Sequence, residues 1–363
     1  MNINPVPHPS FFIDAQLIHS IRQFADEAER IGSLHPEQLA VIYKEHWFNL
    51  YVPRRYGGLG LSLPEGLKIE ESLAWIDGNT GWTVTLCSGA NWFIGFLQPV
   101  TAEIFFNSDK VCFAGSGRSS GIAKWINDGY EISGKWQYAT GSAHATAFTA
   151  NCQLEKDGKI VYNENGFPEI ATFIFLNNEV TIHKDWKAMG MIATSSNSFE
   201  VNKVRVNKNR RFVIEGKQAL LPGKIYQYPF LQFAESTLAV NISGMALHYL
   251  ELSEAIIKKR NADKHLKNDH LLSFSLRHSQ LNEARQVFYQ MLQLSWNEGG
   301  ESKSFSAATL EEVSKVSRQL AATARRSVDE IFPYCGLVAA DRDSEINRVW
   351  RNIHTACLHP LLL

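Results

Sequence analysis

Along the chain, apolar positions fall into three zones with different periods. In the first, Leu17, Ile21, Phe24 and Ala28 recur at helical spacing, and further helices are predicted over 36–47, 64–75 and 80–97. Asn79 and Thr80 supply cap chemistry for the last of these. The stretch Val52-Pro53-Arg54-Arg55-Tyr56-Gly57-Gly58-Leu59-Gly60 reads as a loop, since adjacent glycines and a proline oppose regular structure. From Val111 the period shortens to that of strands. Asp128-Gly129 and Asp157-Gly158 sit between apolar or alternating runs, as hairpin turns do. Phe199, Val201 and, after a shift, Val204 and Val206 alternate with polar residues. This zone ends near Ile214 and reads as a β-barrel or sandwich of roughly 100 residues. From Phe230 the helical period returns in long stretches, predicted over 238–258, 271–296, 310–331 and 346–358. Asn297-Glu298-Gly299-Gly300 stops the second of these, and Pro333 with Gly336 breaks the chain after the third. Helices, then strands, then helices argue for an all-α body with an inserted β-domain, not an alternating α/β sheet. The expected boundaries are 1–109, 110–217 and 218–363.

Composition narrows the partners. Of 363 residues, 45% are hydrophobic and 20% charged, enough apolar material for a large core. Lys and Arg total 36 against 37 Asp and Glu, a formal net charge of -1, so no global field draws nucleic acid. The five cysteines (Cys87, Cys112, Cys152, Cys335 and Cys357) form no CxxC pair, and an odd number of scattered thiols fits a reducing cytoplasm. The first residues, Met1 to Ser10, lack the basic-then-apolar pattern of a signal peptide. The longest apolar run, around Trp92 to Leu97, is too short to span a bilayer. A soluble cytoplasmic protein with no membrane partner is expected. No metal site is expected either, because HExxH, CxxC and closely spaced carboxylate pairs are lacking and the twelve histidines are dispersed. A GxSxG nucleophile elbow is also lacking. Gly115-Ser116-Gly117-Arg118-Ser119-Ser120-Gly121 has the spacing GxGxxxG, and strands follow it, so it is not a dinucleotide loop.

Several segments resemble one family. The 52–61 loop, Glu70-Glu71 and Gly78-Asn79-Thr80-Gly81-Trp82 look like the N-terminal helical domain of acyl-CoA dehydrogenases. Residues 129–141, ending Trp136-Gln137-Tyr138-Ala139-Thr140-Gly141, resemble the family's central β-domain signature. Residues 186–197, beginning Trp186-Lys187-Ala188-Met189-Gly190, resemble a second β-domain motif. Asn347-Arg348-Val349-Trp350-Arg351-Asn352-Ile353-His354 with His359 resembles the end of the C-terminal bundle. The resemblance covers about Tyr51 to Pro360 in the right order. It implies an acyl-CoA dehydrogenase-like fold: an N-terminal all-α domain, a central β-barrel or sandwich and a C-terminal four-helix bundle.

Two chemistries compete within that superfamily. Dehydrogenases remove a proton alpha to a thioester with a glutamate and pass hydride to FAD. Oxygenase components of two-component flavin-dependent monooxygenases take reduced flavin from a partner reductase and react it with O2. In many dehydrogenases the glutamate lies eight positions after the Asp of an Arg-Asp pair; here the pair is Arg351-Asn352 and that position is Pro360. His359 matches a histidine that the monooxygenases keep near the flavin. The resemblance therefore favours a monooxygenase acting on a small aromatic or heteroaromatic substrate with reduced FMN or FAD, O2 and an NAD(P)H-dependent flavin reductase, assembled as a homotetramer. The rival is an acyl-CoA dehydrogenase that uses Glu235, on the first helix after the β-domain; an acid favoured by the helix dipole is the plainer account of that residue. A third reading is a flavin-fold binding protein without catalysis.

The chemistry assigns tasks to particular residues. A hydroxyl at the end of a β-domain strand can hold flavin N5 without carrying charge, and Thr140 is the candidate; β-propensity alone also accounts for a threonine there. An imidazole titrates near neutral pH, so His359 can manage protons, although a histidine also suits a helix end. Phe113, Ser116, Tyr138, Ala139, Thr194 and Ser196 are the further candidates for flavin contact, with turn or loop roles open for the two serines and Thr194. Asn91 and Trp92 lie on the helix that lines the substrate side in relatives, though a tryptophan is usually core. The Arg-x-x-Phe-Gly motif that grips a neighbour's FAD has no clear match; Arg260 lies nearby without the Phe-Gly, which is compatible with a diffusible flavin.

Overall fold

The computed structural model of the chain describes residues 5–264, 269–299 and 304–363. Met1, and Gly300 of the stop after the second long helix, lie outside these residues. Among the described residues, the α-helices before the sheet are α1 (Ala15–Arg22), α2 (Ala25–Ile31), α3 (Pro36–Lys44), α4 (Leu63–Ile76), α5 (Gly78–Asn91) and α6 (Pro99–Phe105). The 52–60 segment is not wholly irregular as expected: one 3-10 turn, Arg54–Tyr56, follows Pro53 and stops at Gly57, and the glycines keep the rest irregular. Gly57 and Gly60 have φ of 78° and 63°, and a Cβ on Gly58 would fall 2.1 Å from the Val52 carbonyl oxygen.

Helices α4 and α5 meet at one residue. Asp77 ends the first and caps the second, accepting hydrogen bonds from the Thr80 amide at 2.9 Å and the Thr80 hydroxyl at 2.7 Å. Asn79 and Thr80 are therefore in the first turn of α5, not its caps. The helix also stops sooner than its apolar period suggests, passing into a 3-10 turn over Trp92–Phe96.

Eight strands follow: β1 (Phe113–Ile126), β2 (Gly129–Ala139), β3 (Ala147–Lys156), β4 (Lys159–Ile160), β5 (Ile170–Leu176), β6 (Thr181–His183), β7 (Asn197–Asn207) and β8 (Arg211–Phe212). They form one sheet in the order β6-β7-β2-β1-β3-β5-β8, with β4 paired to β3. Only β1 and β3 run parallel. The sheet curls on itself. Strands β7 and β3 are three places apart, about 14 Å in a flat sheet, yet Phe199 and Phe148 stand 4.9 Å apart. Trp136, Phe173 and Phe175 fill the same enclosed core. The second hairpin turns where the sequence places it, and Asp157 and Gly158 have the positive φ values, 51° and 77°, of the tight turn. The first turns one residue early, on Asn127-Asp128, with Gly129 already paired to Ile126 as the start of β2. The shift in β7 is a register break beside Lys203, at φ 51°.

The C-terminal region comprises α7 (Lys224–Gln227), α8 (Phe230–Lys264), α9 (Asp269–Glu298), α10 (Ala307–Cys335) and α11 (Glu345–Ala356). Helix α8 begins well before the predicted residue 238. Its first turns carry Gln232, Glu235, Ser236 and Thr237, all buried, which blurs the apolar period. Helix α10 runs through Pro333, one turn before its end at Gly336. A buried ion pair locks α4 to α9: Arg285 Nε and Nη2 donate to the two Glu71 oxygens at 2.8 and 2.9 Å, with Ser243 and Tyr289 donating to the same carboxylate.

Candidate functional site

A cavity of about 250 Å³ lies where α5, the starts of β1 and β3, the end of β2, α8 and the C-terminal turn converge. Thr140 and His359, far apart in sequence, both line it, together with Ser116 and Tyr138. Leu86, Phe93, Phe230 and Phe233 give it apolar walls. Gly117 leaves its own side open, with no atom within 4 Å of where a Cβ would stand.

The backbone delivers Thr140 by a local break. The pairing of β2 with β7 slips between Trp136 and Ala139, and Tyr138 adopts φ 67°, a left-handed conformation that a tyrosine adopts at a cost. Tyr138 is 55% exposed at the cavity edge, with the Arg118 guanidinium over its ring. The next residues turn inward: the Gly141 amide, at φ 79°, donates to the Thr194 carbonyl at 2.8 Å.

Behind Thr140 runs a chain of hydroxyls. Thr194 Oγ1 donates to the Met191 carbonyl at 2.7 Å. A hydroxyl has one proton, so that of Thr194 is committed. Ser196, 2.7 Å from Thr194 Oγ1, must then donate to it, and Thr140, 2.8 Å from Ser196 Oγ, must donate to Ser196. Thr140 is left with lone pairs only. It presents the cavity with an acceptor and no donor.

His359 sits at the other side of the chain's logic. Its Nδ1 accepts the Leu361 amide at 3.3 Å, capping the 3-10 turn Pro360–Leu362. The neutral ring therefore carries its proton on Nε2. Burial pushes the imidazole below its ordinary 6.5, so the neutral form prevails at neutral pH. His359 thus lines the cavity while its ring caps the turn after α11 by accepting an amide, in place of the expected contact with the helix's last carbonyls.

Other candidates stand elsewhere. Thr194 and Ser196 belong to the hydroxyl chain and do not line the cavity. Phe113 is fully buried against Phe105 and Phe106, and Ala139 is fully buried within the sheet's core. Asn91 is spent on structure: its amide donates to Asn49 Oδ1 at 2.7 Å and its oxygen accepts the Phe113 amide at 2.8 Å. Trp92 is core, stacked on Phe233 with its indole N–H on the Ile225 carbonyl. Glu235 turns away from the cavity that its neighbours Ala234 and Thr237 line, and pairs with Arg318. Its Oε2 has no hydrogen-bond partner among the described residues.

The second β-domain motif is a joint. A Cβ on Gly190 would fall 2.1 Å from the Arg351 carbonyl oxygen, so the 186–196 segment lies flat on α11. Asn352 Oδ1 accepts the Met191 amide at 2.6 Å, and Arg351 donates to the Met189 carbonyl at 2.7 Å. Asn352, where the family's Arg-Asp pair has its acid, thus anchors the carbonyl end of the hydroxyl chain. Arg260 donates to the Tyr334 carbonyl at 2.6 Å, at the end of α10. Sequence reasoning missed Asn151, which lines the cavity, donates to the Gly117 carbonyl at 3.0 Å and accepts from Thr172 at 2.8 Å. Nothing in its strand pattern sets it apart.

The cavity suits a flat, mostly apolar heteroaromatic ring with an N–H to donate, and the residues present fit a flavin in that respect. Comparison with known proteins agrees with the architecture. Residues 236–362 match the family model described as the acyl-CoA dehydrogenase C-terminal domain. The HsaA monooxygenase structure from Mycobacterium tuberculosis superposes with a TM-score of 0.87 at 20% identity, covering 96% of this chain and 91% of its own. The chain has the acyl-CoA dehydrogenase-like fold. It has that fold throughout: helices, a curled sheet, then a helical bundle. Among relatives, the flavin-dependent monooxygenase oxygenase subunit HsaA of M. tuberculosis is 22% identical over 94% of this chain and 89% of its own length. The indole-3-acetate monooxygenase of Pseudomonas putida is 26% identical over 70% and 65%. XiaF from Streptomyces sp., solved with FADH2 and glycerol, superposes with a TM-score of 0.82 at 17% identity, covering 96% of this chain and 91% of its own.

Proposed function

We propose that this chain is the oxygenase component of a two-component flavin-dependent monooxygenase. It would take reduced FMN or FAD from a separate NAD(P)H-dependent reductase and oxygenate a small aromatic or heteroaromatic substrate. One observation carries the reading: Thr140, polarised by Ser196 and Thr194 into a pure acceptor, shares a cavity with His359. Reduced flavin has a hydrogen on N5 to donate; oxidised flavin has only a lone pair there. An acceptor-only hydroxyl favours the reduced form, and a dehydrogenase that rests with oxidised FAD needs the opposite polarity.

Bound reduced flavin would supply the electrons that activate O2 for insertion of one oxygen atom into the substrate. The chain's own groups do the rest. Thr140 Oγ1 would accept a hydrogen bond from flavin N5, and Ser196, Thr194 and the Met191 carbonyl hold that oxygen in orientation. His359, kept neutral by burial, would offer its Nε2–H as a hydrogen bond to an oxygen atom that gains charge. Leu86, Phe93 and Phe233 exclude water from the reacting faces. The indole-3-acetate monooxygenase relative supports an aromatic substrate, and FADH2 in XiaF supports a reduced flavin.

The working assembly in this proposal is a cytoplasmic homotetramer. Leu272, Leu276, Val287 and Leu294 support it, forming an exposed apolar stripe on one side of α9. Among the described residues no helix is long and apolar enough to cross a membrane. The acyl-CoA dehydrogenase alternative is disfavoured by Glu235, which is paired with Arg318 outside the cavity lining.

Purification and rapid mixing test the proposal. The protein should purify colourless, and its anaerobic mixture with reduced flavin should give a transient absorbance, unlike either flavin redox state, on meeting O2. A yellow protein with bound FAD that bleaches on adding an acyl-CoA would overturn it. So would a protein that does neither.

A further inference from the structure

Directly behind Thr140 lies a cluster that the flavin chemistry does not use. Cys87 on α5, Cys112 just before β1 and His144 in the turn after Thr140 each bring one ligand atom to within 4.8 Å of the others. Both thiols are fully buried. Both ring nitrogens of His144 are buried and without a hydrogen-bond partner among the described residues, an arrangement that needs a cause. The ring stacks on Phe48, 5.6 Å between centroids, which fixes its plane.

We infer that Cys87, Cys112 and His144 form a structural site for a thiophilic divalent cation, Zn²⁺ by preference. Two thiolates and a neutral imidazole are a ligand set that zinc takes, and it has no geometric preference of its own to violate. The charges cancel. One dication with two thiolates is neutral overall, the form that two fully buried sulfurs tolerate. The distances are close to what binding needs: zinc–sulfur bonds of about 2.3 Å in a tetrahedron place two sulfurs about 3.8 Å apart. Closing from within 4.8 Å therefore takes a shift of at most about 1 Å at side chains. The Thr140 carbonyl oxygen, 3.7 Å from Cys87 Sγ, is the neighbouring group for the fourth position. Binding releases the two thiol protons and completes the coordination of His144.

The location gives the site its use. Cys87 adjoins Leu86 of the cavity wall, Cys112 leads into the strand of Gly115 to Gly117, and His144 closes the turn that begins at Thr140. One ion would tie these three walls together. The sequence hides this because the ligands are far apart along the chain, without the short spacings that mark zinc sites. The inference is independent of the flavin reading, since the three ligands would hold metal whatever occupies the cavity.

The full-length chain, produced in medium supplemented with zinc chloride or cobalt chloride and dialysed against metal-free buffer, tests it. Elemental analysis should find about one zinc per chain, and the cobalt form should show a thiolate-to-cobalt charge-transfer band with tetrahedral bands in the visible. Cys87→Ala and Cys112→Ala, both still apolar and small, should each lower retained metal at least tenfold with circular dichroism unchanged. Should either variant fail to fold, the cobalt spectrum of the unmodified chain decides alone. Wild-type chain without that band, or retaining no more metal than Cys87→Ala, would overturn the site. Thiol titration of the unfolded, EDTA-treated protein should count all five cysteines; a count of three, showing a Cys87–Cys112 disulfide, would overturn it as well.

Discussion

The hydroxyls of Thr140 and Ser196 lie 2.8 Å apart, and because the chain beyond them ends on the Met191 carbonyl, Thr140 is the donor of that bond. A structural hydrogen bond thereby sets the chemistry that the cavity meets. Ser196→Ala should release the Thr140 proton and let it donate into the cavity. The preference for reduced over oxidised flavin should fall roughly threefold to tenfold, the worth of one ordinary hydrogen bond. Thr140→Val should weaken reduced flavin by a similar factor and leave oxidised flavin nearly unaffected. Anaerobic fluorescence titration of both redox forms checks each variant.

His359 should impose a pH dependence of known sign. Burial lowers its pKa below 6.5. Below pH 6.5 the unfolded chain takes up a proton that folded His359 refuses, so stability falls as pH falls, at no more than about 1.4 kcal/mol per pH unit. His359→Gln should flatten that loss between pH 7 and the lowered pKa in urea melts. The same variant should slow substrate oxygenation more than flavin binding, seen as a fall in kcat with flavin affinity kept.

Glu70 should show the opposite trend. Burial pushes its carboxyl up to about 8, against the hydrogen bond from Ser88 at 3.2 Å. Between its ordinary 4.5 and about 8 the unfolded chain releases a proton that the folded chain keeps, so stability falls as pH rises through that window. Glu70→Gln, uncharged and of the same shape, should raise the Tm more at pH 8 than at pH 5. An equal shift at both pH values would contradict the buried neutral acid.

Arg285→Met should be costly. It strands the Glu71 carboxylate, whose side chain is 2% exposed, among α4, α8 and α9. Removal of one partner of a buried pair costs about 3–5 kcal/mol, and the midpoint of urea unfolding should move accordingly. Glu71→Gln added to Arg285→Met should recover part of the loss.

The succession of helices, strands and helices was legible because period and turn chemistry are local properties. Asp157-Gly158 and the shift in β7 came through for the same reason. The start of α8 did not, since its polar Gln232, Glu235 and Ser236 are buried against other helices, which no local pattern reveals. Thr140, Ser116, Tyr138 and His359 could be picked out by resemblance, and the fold brings them to one cavity. Thr194 and Ser196 share a motif with residues that dock on α11, and sequence could not separate touching a ligand from polarising a residue that does. Asn151 and the Cys87–Cys112–His144 cluster depend on strand and helix placement alone.

Anaerobic titration of the unmodified protein with reduced and with oxidised FMN and FAD tests the central claim most directly. An acceptor-only Thr140 requires reduced flavin to bind at least roughly threefold tighter than the same flavin oxidised. Equal affinities, or tighter binding of the oxidised form, would contradict it.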